Sequence, residues 1–370
     1  MDKETNILEG MNIKVERGEA ILVDVESFIV REGEAVSLIG PNGAGKTTLL
    51  QTLCFLLKPF EGNICFRGEK VGKEYPLKEY RRKLSMVFQE PLLFDTTVFN
   101  NVASGLRFRN IAGIEIKNIV MENLQRFGIE HLSNRSARTL SGGEAQRTSL
   151  ARAFATKPEI LFLDEPFSAL DPPTRESLVE DVEGILKQSR ITSILVTHDR
   201  MEALRLSSRI AVMKEGHIVQ FAPPAEIMNH PASEFVATFV GIETTLDGIV
   251  KEEKNGILTI SVDGQNIEAV GTLKEGRHVI LCIRPENVVI SSNSVKGSTS
   301  LRNIFTGKVL KITPLGPYQK VQLDCGFPLV AYVTNNSSMK LDLQEGKEVT
   351  ASFKATSTHV IAGRDIKKQD

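Results

Sequence analysis

"GPNGAGKTT", residues 40–48, is the stretch whose reading decides the fold. It has the spacing G-x-x-x-x-G-K-[ST]. Before it runs Ala35-Val36-Ser37-Leu38-Ile39, short and apolar like a buried strand. After it come Leu49, Leu50, Leu53, Leu56 and Leu57, at i, i+1, i+4, i+7 and i+8, which predicts one apolar helix face. A glycine-rich turn between strand and helix lets backbone N–H groups converge on anionic oxygens, and the helix start adds its positive dipole end. Gly40, Asn42, Gly43, Gly45 and Thr48 would shape that cradle. Lys46 would reach the outer phosphates, and Thr47 would place its hydroxyl on Mg²⁺.

The chain has 370 residues, room for two or three domains. Its formal net charge of −1 gives no electrostatic reason to expect nucleic-acid binding. Cys54, Cys65, Cys282 and Cys325 are widely spaced and form no C-x-x-C pair, so they read as reduced, mostly buried thiols. The opening MDKETNILEG is acidic and polar, unlike a signal peptide. No apolar run approaches the ~20 residues of a membrane-spanning helix, so work at a membrane would need a partner.

Up to about residue 241, strands alternate with helical patterns. Ala35–Ile39, Leu84–Phe88, Ile160–Leu163 and Ile194–Thr197 read as strands of a parallel sheet covered by helices. Leu178, Val182 and Ile185 mark one such helix. After Gly241 short alternating strands take over, between Ile257–Val262 and Val349–Phe353, with turn signals at Asp263-Gly264 and Glu345-Gly346. This half, 242–370, reads as one or two small β-barrels, and the polar run 291–300 as a linker or loop dividing it.

Two further segments carry chemistry. "ILFLDEP", residues 160–166, ends an apolar strand in two carboxylates. Asp164 would hold Mg²⁺ facing Thr47, and Glu165 would polarise an attacking water as general base. "LSGGEAQR", residues 140–147, is open to two readings. Ser141 with Glu144 three residues on forms a capping box for an ordinary helix. A helix start with two exposed glycines is also an anion site. A second phosphate-binding helix start suggests a nucleotide held between two protomers.

Together these segments resemble the nucleotide-binding subunit of an ABC transporter. GPNGAGKT is similar to its Walker A loop, ILFLDEP to its Walker B segment, and LSGGE to its signature, with Glu144 where glutamine is commonest. Gln89 in "MVFQEPLLF" matches the Q-loop, Ser168 to Asp171 ("SALD") the D-loop, and His198 in "ILVTHD" the switch histidine. The resemblance covers roughly the first 240 residues with every motif in order. It implies an α/β P-loop NTPase cassette and a head-to-tail homodimer closing on two ATP molecules. Ser141, Gly142 and Gly143 of one protomer would touch the γ-phosphate held by the other, with Asp171 nearby. Gln89 would sense Mg²⁺ and the transmembrane permease, and His198 would help orient the water. An extracytoplasmic binding protein would act indirectly, and the chain would sit on the inner face of the membrane.

One departure stands out. Such subunits usually carry an aromatic residue near position 16 to stack on adenine, whereas this chain has Glu16 and Arg17. Either Arg17 stacks its guanidinium plane on the base, or the phosphates supply most of the affinity. After Gln89, the apolar set Leu92, Leu93, Phe94, Val98 and Phe99 is a candidate groove for a short permease helix; ordinary core is the alternative.

In the second half, "CIRPENVVIS" resembles the accessory β-domain of importer subunits for sugars, polyamines, sulfate, iron and molybdate. Residues 300–312 with 333–361 look like a small molybdate-binding Mop domain, an OB/TOBE-like barrel. That resemblance implies an oxyanion site at Ser300, Arg302, Asn303 and Lys354, which supply hydroxyl, cationic and N–H donors. The competing reading makes Arg302 and Asn303 turn residues and Lys354 a solvated lysine. The resemblance as a whole implies an ATPase of an oxyanion importer, with molybdate or tungstate also a possible regulator. Importers of sugar, polyamine, sulfate or ferric iron, and a soluble non-transport ABC ATPase, are the alternatives.

Overall fold

The structure is a computed structural model that describes residues 5–292 and 300–363. The chain divides into two compact units, one ending at Pro224 and the other beginning at Ala225. The helices Pro224–Asn229 and Glu234–Phe239 therefore fall at the boundary and in the second unit, ahead of the change in sequence texture at Gly241.

The first unit holds two sheets. Six strands run in the order His217–Ala222, Arg209–Lys214, Ala35–Ile39, Thr192–Val196, Ile160–Asp164, Leu84–Val87. Every neighbouring pair is parallel except the first. The strand Ile160–Asp164 is buried throughout, which explains its unbroken apolar run. Ile160 and Phe162 face one core and Leu161 and Leu163 the other, as strand alternation requires. The first core is shared with a four-stranded antiparallel sheet, Ala20–Arg31, Asn6–Arg17, Glu61–Phe66 and Glu69–Lys70. The second lies under the helices Val98–Phe108, Gly113–Arg126, Gly142–Ala155 and Pro172–Ser189.

The strands named from sequence are present, with ends shifted by one or two residues. The antiparallel sheet of the first unit had not been read from the sequence. The helix after the glycine loop is shorter than its leucine spacing predicts. It spans Lys46–Leu53, and Phe55 then turns left-handed at φ 56°. Leu56 and Leu57 consequently leave the helix and stand 53% and 38% exposed.

The second unit contains two five-stranded antiparallel sheets. One takes Gln265–Val270, Ile257–Val262, Thr244–Lys254, His278–Ile283 and Thr358–Ala362; the other takes Val289–Ser291, Glu348–Phe353, Asn303–Leu315, Tyr318–Asp324 and Pro328–Thr334. The final strand thus returns to pair with His278–Ile283, while Val289–Ser291 crosses to pair with Glu348–Phe353. One cluster of buried side chains, from Leu246 to Phe353, spans both sheets. The run 291–300 therefore does not divide the core of this half; most of it, 293–299, lies outside the described residues.

Candidate functional site

Four adjacent parallel strands of the first unit end side by side, and each end delivers one element of the site. Ala35–Ile39 leads into the glycine loop, Thr192–Val196 into His198, Ile160–Asp164 into Glu165, and Leu84–Val87 into Gln89. Sites form at the carboxyl ends of parallel strands because turns there are free to vary.

The glycine loop is held close to its neighbours. Gly45 has φ 94°, and a Cβ there would lie 2.7 Å from the Leu22 carbonyl oxygen. A Cβ on Gly40 would collide with the Met213 carbonyl oxygen. Larger residues would push the loop off the strands that shape it. The loop, Leu22 and Glu165 line a pocket of about 280 Å³. The Lys46 ammonium folds back onto the carbonyls of Gly40 and Pro41, at 2.9 Å each. Burial pushes its pKa down, against the opposing pull of Glu165 and Asp164. A buried ammonium bonded, among the described residues, only to loop carbonyls is well suited to polyphosphate oxygens, which would restore the solvation that burial removed.

Thr47 Oγ1 donates to Asp164 Oδ1 at 2.8 Å. Burial raises the Asp164 pKa, opposed by the Thr47 hydrogen bond. This pair fits Mg²⁺, which favours oxygen ligands and is commonly held by one carboxylate, one hydroxyl and phosphate oxygens. When bound, the ion would neutralise charge on the phosphates.

Glu165 sits next to the strand end with φ 45°, a left-handed conformation that costs about 1–3 kcal/mol outside glycine. Its backbone N–H donates to Val196 O at 2.9 Å, which ties it to the neighbouring strand. Its carboxylate Oε2 lies 3.1 Å from His198 Nδ1. Gln89, Glu165, Ser168, His198 and Asn42 line a second opening of about 580 Å³ beside the glycine loop. Gln89 Nε2 donates to Ser168 Oγ at 3.3 Å, and Ser168 Oγ donates to the Glu165 carbonyl at 3.0 Å. Behind His198, Asp199 caps the helix Arg200–Leu206 and accepts from Arg175. Arg175 also bonds Glu202, which in turn accepts from Thr197. The whole turn carrying His198 is thereby anchored on both sides.

Ser141 caps the helix Gly142–Ala155 with the full capping box: Glu144 N–H donates to Ser141 Oγ at 3.3 Å, and Ser141 N–H to Glu144 Oε2 at 2.8 Å. That backbone bond leads the causes that hold the Glu144 carboxyl below its usual range. Ser141, Gly142 and Gly143 line neither nucleotide-side opening. Asp171 caps the helix Pro172–Ser189, accepting from Thr174 N–H at 3.2 Å. Arg17 ends the strand Asn6–Arg17, exposed, opposite Ala20 in the hairpin, and lines neither opening. Sequence reading missed Leu22, which lines the phosphate pocket, and the Arg175 anchor of the His198 turn.

Of the apolar residues after Gln89, Leu92 and Phe94 are 59% and 52% exposed, while Val98 is fully buried. Val98 is thus core. In the second unit, the strand register pairs Asn303 with Phe353, which brings Lys354 to the same end. The Asn303 reading needs correction. Its side chain is buried and clamps the main chain of Glu268, accepting from the N–H at 2.7 Å and donating to the carbonyl at 2.9 Å. The strands carrying Asn303 and Glu268 belong to different sheets, so this side chain links the two. Arg302 Nη1 pairs with Glu268 Oε2 at 3.0 Å, so a carboxylate already occupies it. Ser300 and Lys354 are exposed.

A phosphate loop, an acidic strand end with a following carboxylate, and a histidine against that carboxylate define an ATP-binding cassette ATPase. Residues 23–168 match the family described as ABC transporter, and residues 299–360 match the TOBE domain. The molybdate/tungstate import ATP-binding protein WtpC of Pyrococcus horikoshii is 40% identical over 338 residues, 90% of this chain and 94% of that protein. The spermidine/putrescine import ATP-binding protein PotA of Mycoplasma capricolum subsp. capricolum is 33% identical over 362 residues, 97% of this chain and 98% of that protein. Among solved structures, the dimeric post-hydrolysis cassette MJ0796 bound to ADP and Pi is 30% identical with a TM-score of 0.54, covering 59% of this chain and 99% of that one. The chain belongs to the family of ATP-binding proteins of ABC import systems, and it is an ATPase with a C-terminal TOBE domain.

Proposed function

We infer that this ATPase drives uptake of an oxyanion, molybdate or tungstate. The 40% identity to the WtpC protein across 90% of the chain carries that reading. Two copies would close head-to-tail, each phosphate loop facing the Ser141–Gly143 helix start of the other. Lys46 would bind the outer phosphates, Thr47, Asp164 and Gln89 would hold Mg²⁺, and Glu165 would take the proton of the attacking water. His198, 3.1 Å from Glu165, would orient that water and the γ-phosphate. Arg17 is the proposed contact for the base. The exposed Leu92 and Phe94 would meet the permease, which keeps the ATPase at the inner face of the membrane; among the described residues no helix is long and apolar enough to cross one.

Polyamine import is the second reading, favoured by relatives 33% identical over 97% of the chain. The assembled transporter in proteoliposomes separates the two. Binding protein loaded with molybdate or tungstate should stimulate ATP hydrolysis, and spermidine should leave it at its basal rate. Stimulation by spermidine alone would replace the oxyanion reading.

A further inference from the structure

His198 faces the Glu165 carboxylate, yet little holds its ring. The side chain is 51% exposed, and among the described residues the ring's one hydrogen bond is the 3.1 Å contact with Glu165. The imidazole therefore stands where the backbone of Thr197, His198 and Asp199 puts it. The residues on either side are tightly bound. Thr197 is 1% exposed, and its N–H donates to the Leu38 carbonyl at 3.2 Å. Its hydroxyl donates to Glu202 Oε2 and accepts from the Asp199 N–H at 3.0 Å. Asp199 Oδ1 accepts from the Met201 N–H at 2.7 Å and the Glu202 N–H at 3.3 Å.

One side chain from another element closes this network. Arg175 lies in the first turn of the helix Pro172–Ser189, its N–H bonded to the Asp171 carbonyl at 2.9 Å. Its Nε donates to Glu202 Oε1 and its Nη2 to Asp199 Oδ2, each at 2.8 Å. A cation in the first turn of a helix is set against the helix dipole. Glu202 is only 5% exposed, and a buried carboxylate is costly unless paired. Each charge is thus placed to suit the other and not its own surroundings. Burial lowers the Arg175 pKa, but Glu202 and Asp199 outweigh it and leave the value raised. A planar guanidinium meets two carboxylates at a fixed angle, which a single ammonium does not. The helix carrying Arg175 follows directly on Ser168 to Asp171, and Ser168 and Ala169 line the same opening as His198. Arg175 therefore ties two sides of that opening together.

We propose that Arg175 is a positioning residue for ATP hydrolysis: its fork on Asp199 and Glu202 sets where His198 stands against Glu165. This rests on the reading of His198 as the group that orients the water, and adds the part that holds it there. Arg175 lines neither nucleotide-side opening, so it acts on turnover and not on nucleotide binding.

Steady-state ATPase kinetics on the full chain test it, with Arg175→Lys made alone and in a His198→Ala background. The lysine keeps the positive charge that a buried Glu202 needs but loses the fork. In the parent background kcat should fall by about tenfold or more, because a small misplacement of a reacting group costs on that order, while KM for ATP stays within about twofold. In the His198→Ala background the same change should alter kcat by less than about twofold, because the group it positions is gone. Asp199→Asn keeps an oxygen to cap the helix Arg200–Leu206 but gives up the charge-assisted bond to Arg175, and should repeat the pattern with a smaller fold-change. An Arg175 that only supports the fold would lower kcat by the same factor in both backgrounds, which overturns the proposal. Loss of turnover in His198→Ala with none in Arg175→Lys or Asp199→Asn removes the proposal alone. If His198→Ala hydrolyses ATP at the parent's rate, the reading of His198 falls and the proposal falls with it.

Discussion

Asp164 and Asn303 are both almost inaccessible polar side chains, 6% and 1% exposed, and they differ in what surrounds them. Asp164 receives the Thr47 hydroxyl, but burial still holds its proton more tightly than water would. Asn303 has its donor and acceptor matched by one backbone unit, that of Glu268. The first arrangement is incomplete without a ligand, and the second is complete by itself. Buried polar groups that satisfy each other build structure; those left partly unsatisfied at a strand end mark a site.

Mutations can break this contrast. The largest effect should come from Glu165→Gln, which removes the proposed general base. Turnover should fall by about 10²–10⁴-fold in a steady-state ATPase assay, with nucleotide affinity little changed. Lys46→Ala should act on binding instead, weakening ATP by roughly 10–100-fold in equilibrium titration, as expected for loss of a charge-assisted contact. In the second unit, Asn303→Ala leaves the Glu268 N–H and carbonyl unpaired. Chemical denaturation should show a loss of about 2–4 kcal/mol with ATP affinity unchanged. Arg302→Ala, which removes an exposed ion pair, should cost less than about 1 kcal/mol.

How far the sequence alone exposed this contrast depends on how local each signal is. The strand ends at Ile39, Asp164 and Val196 are legible because fully buried parallel strands read as apolar runs, and the reactive residues follow them directly. The antiparallel sheet of the first unit was not legible. The pairing of its two long strands, Asn6–Arg17 and Ala20–Arg31, has register shifts at Asn6/Leu8 and Val15/Glu16 that break simple alternation. Leu56 and Leu57 fitted the helix spacing, but a left-handed turn at Phe55 has no periodic signature. The residue type at Asn303 suited an anion site; its partner lies 35 positions away in a backbone, where no local pattern can show it.

The incomplete state of Asp164 has a pH signature. Its pKa is raised in the folded chain, so the protonated form is favoured there relative to the unfolded chain. The favourable contribution is present at low pH and is lost as pH rises through the raised value. Asp164→Asn should therefore raise the Tm of the ligand-free protein by a few degrees above neutrality. The gain should vanish toward the ordinary aspartate range, about pH 4. The same variant should lose the stabilisation that Mg²⁺ and ATP give the parent.

The proposed hydrolysis depends on Glu165 and His198 acting as one unit across their 3.1 Å contact. A double-mutant cycle in kcat measures this directly, using Glu165→Gln, His198→Ala and the pair together. Residues that act as a unit are not additive, so the double variant should hydrolyse ATP within about threefold of Glu165→Gln alone. If the two losses multiply instead, the carboxylate and the imidazole work independently, and the pairing at this strand end is not the catalytic device.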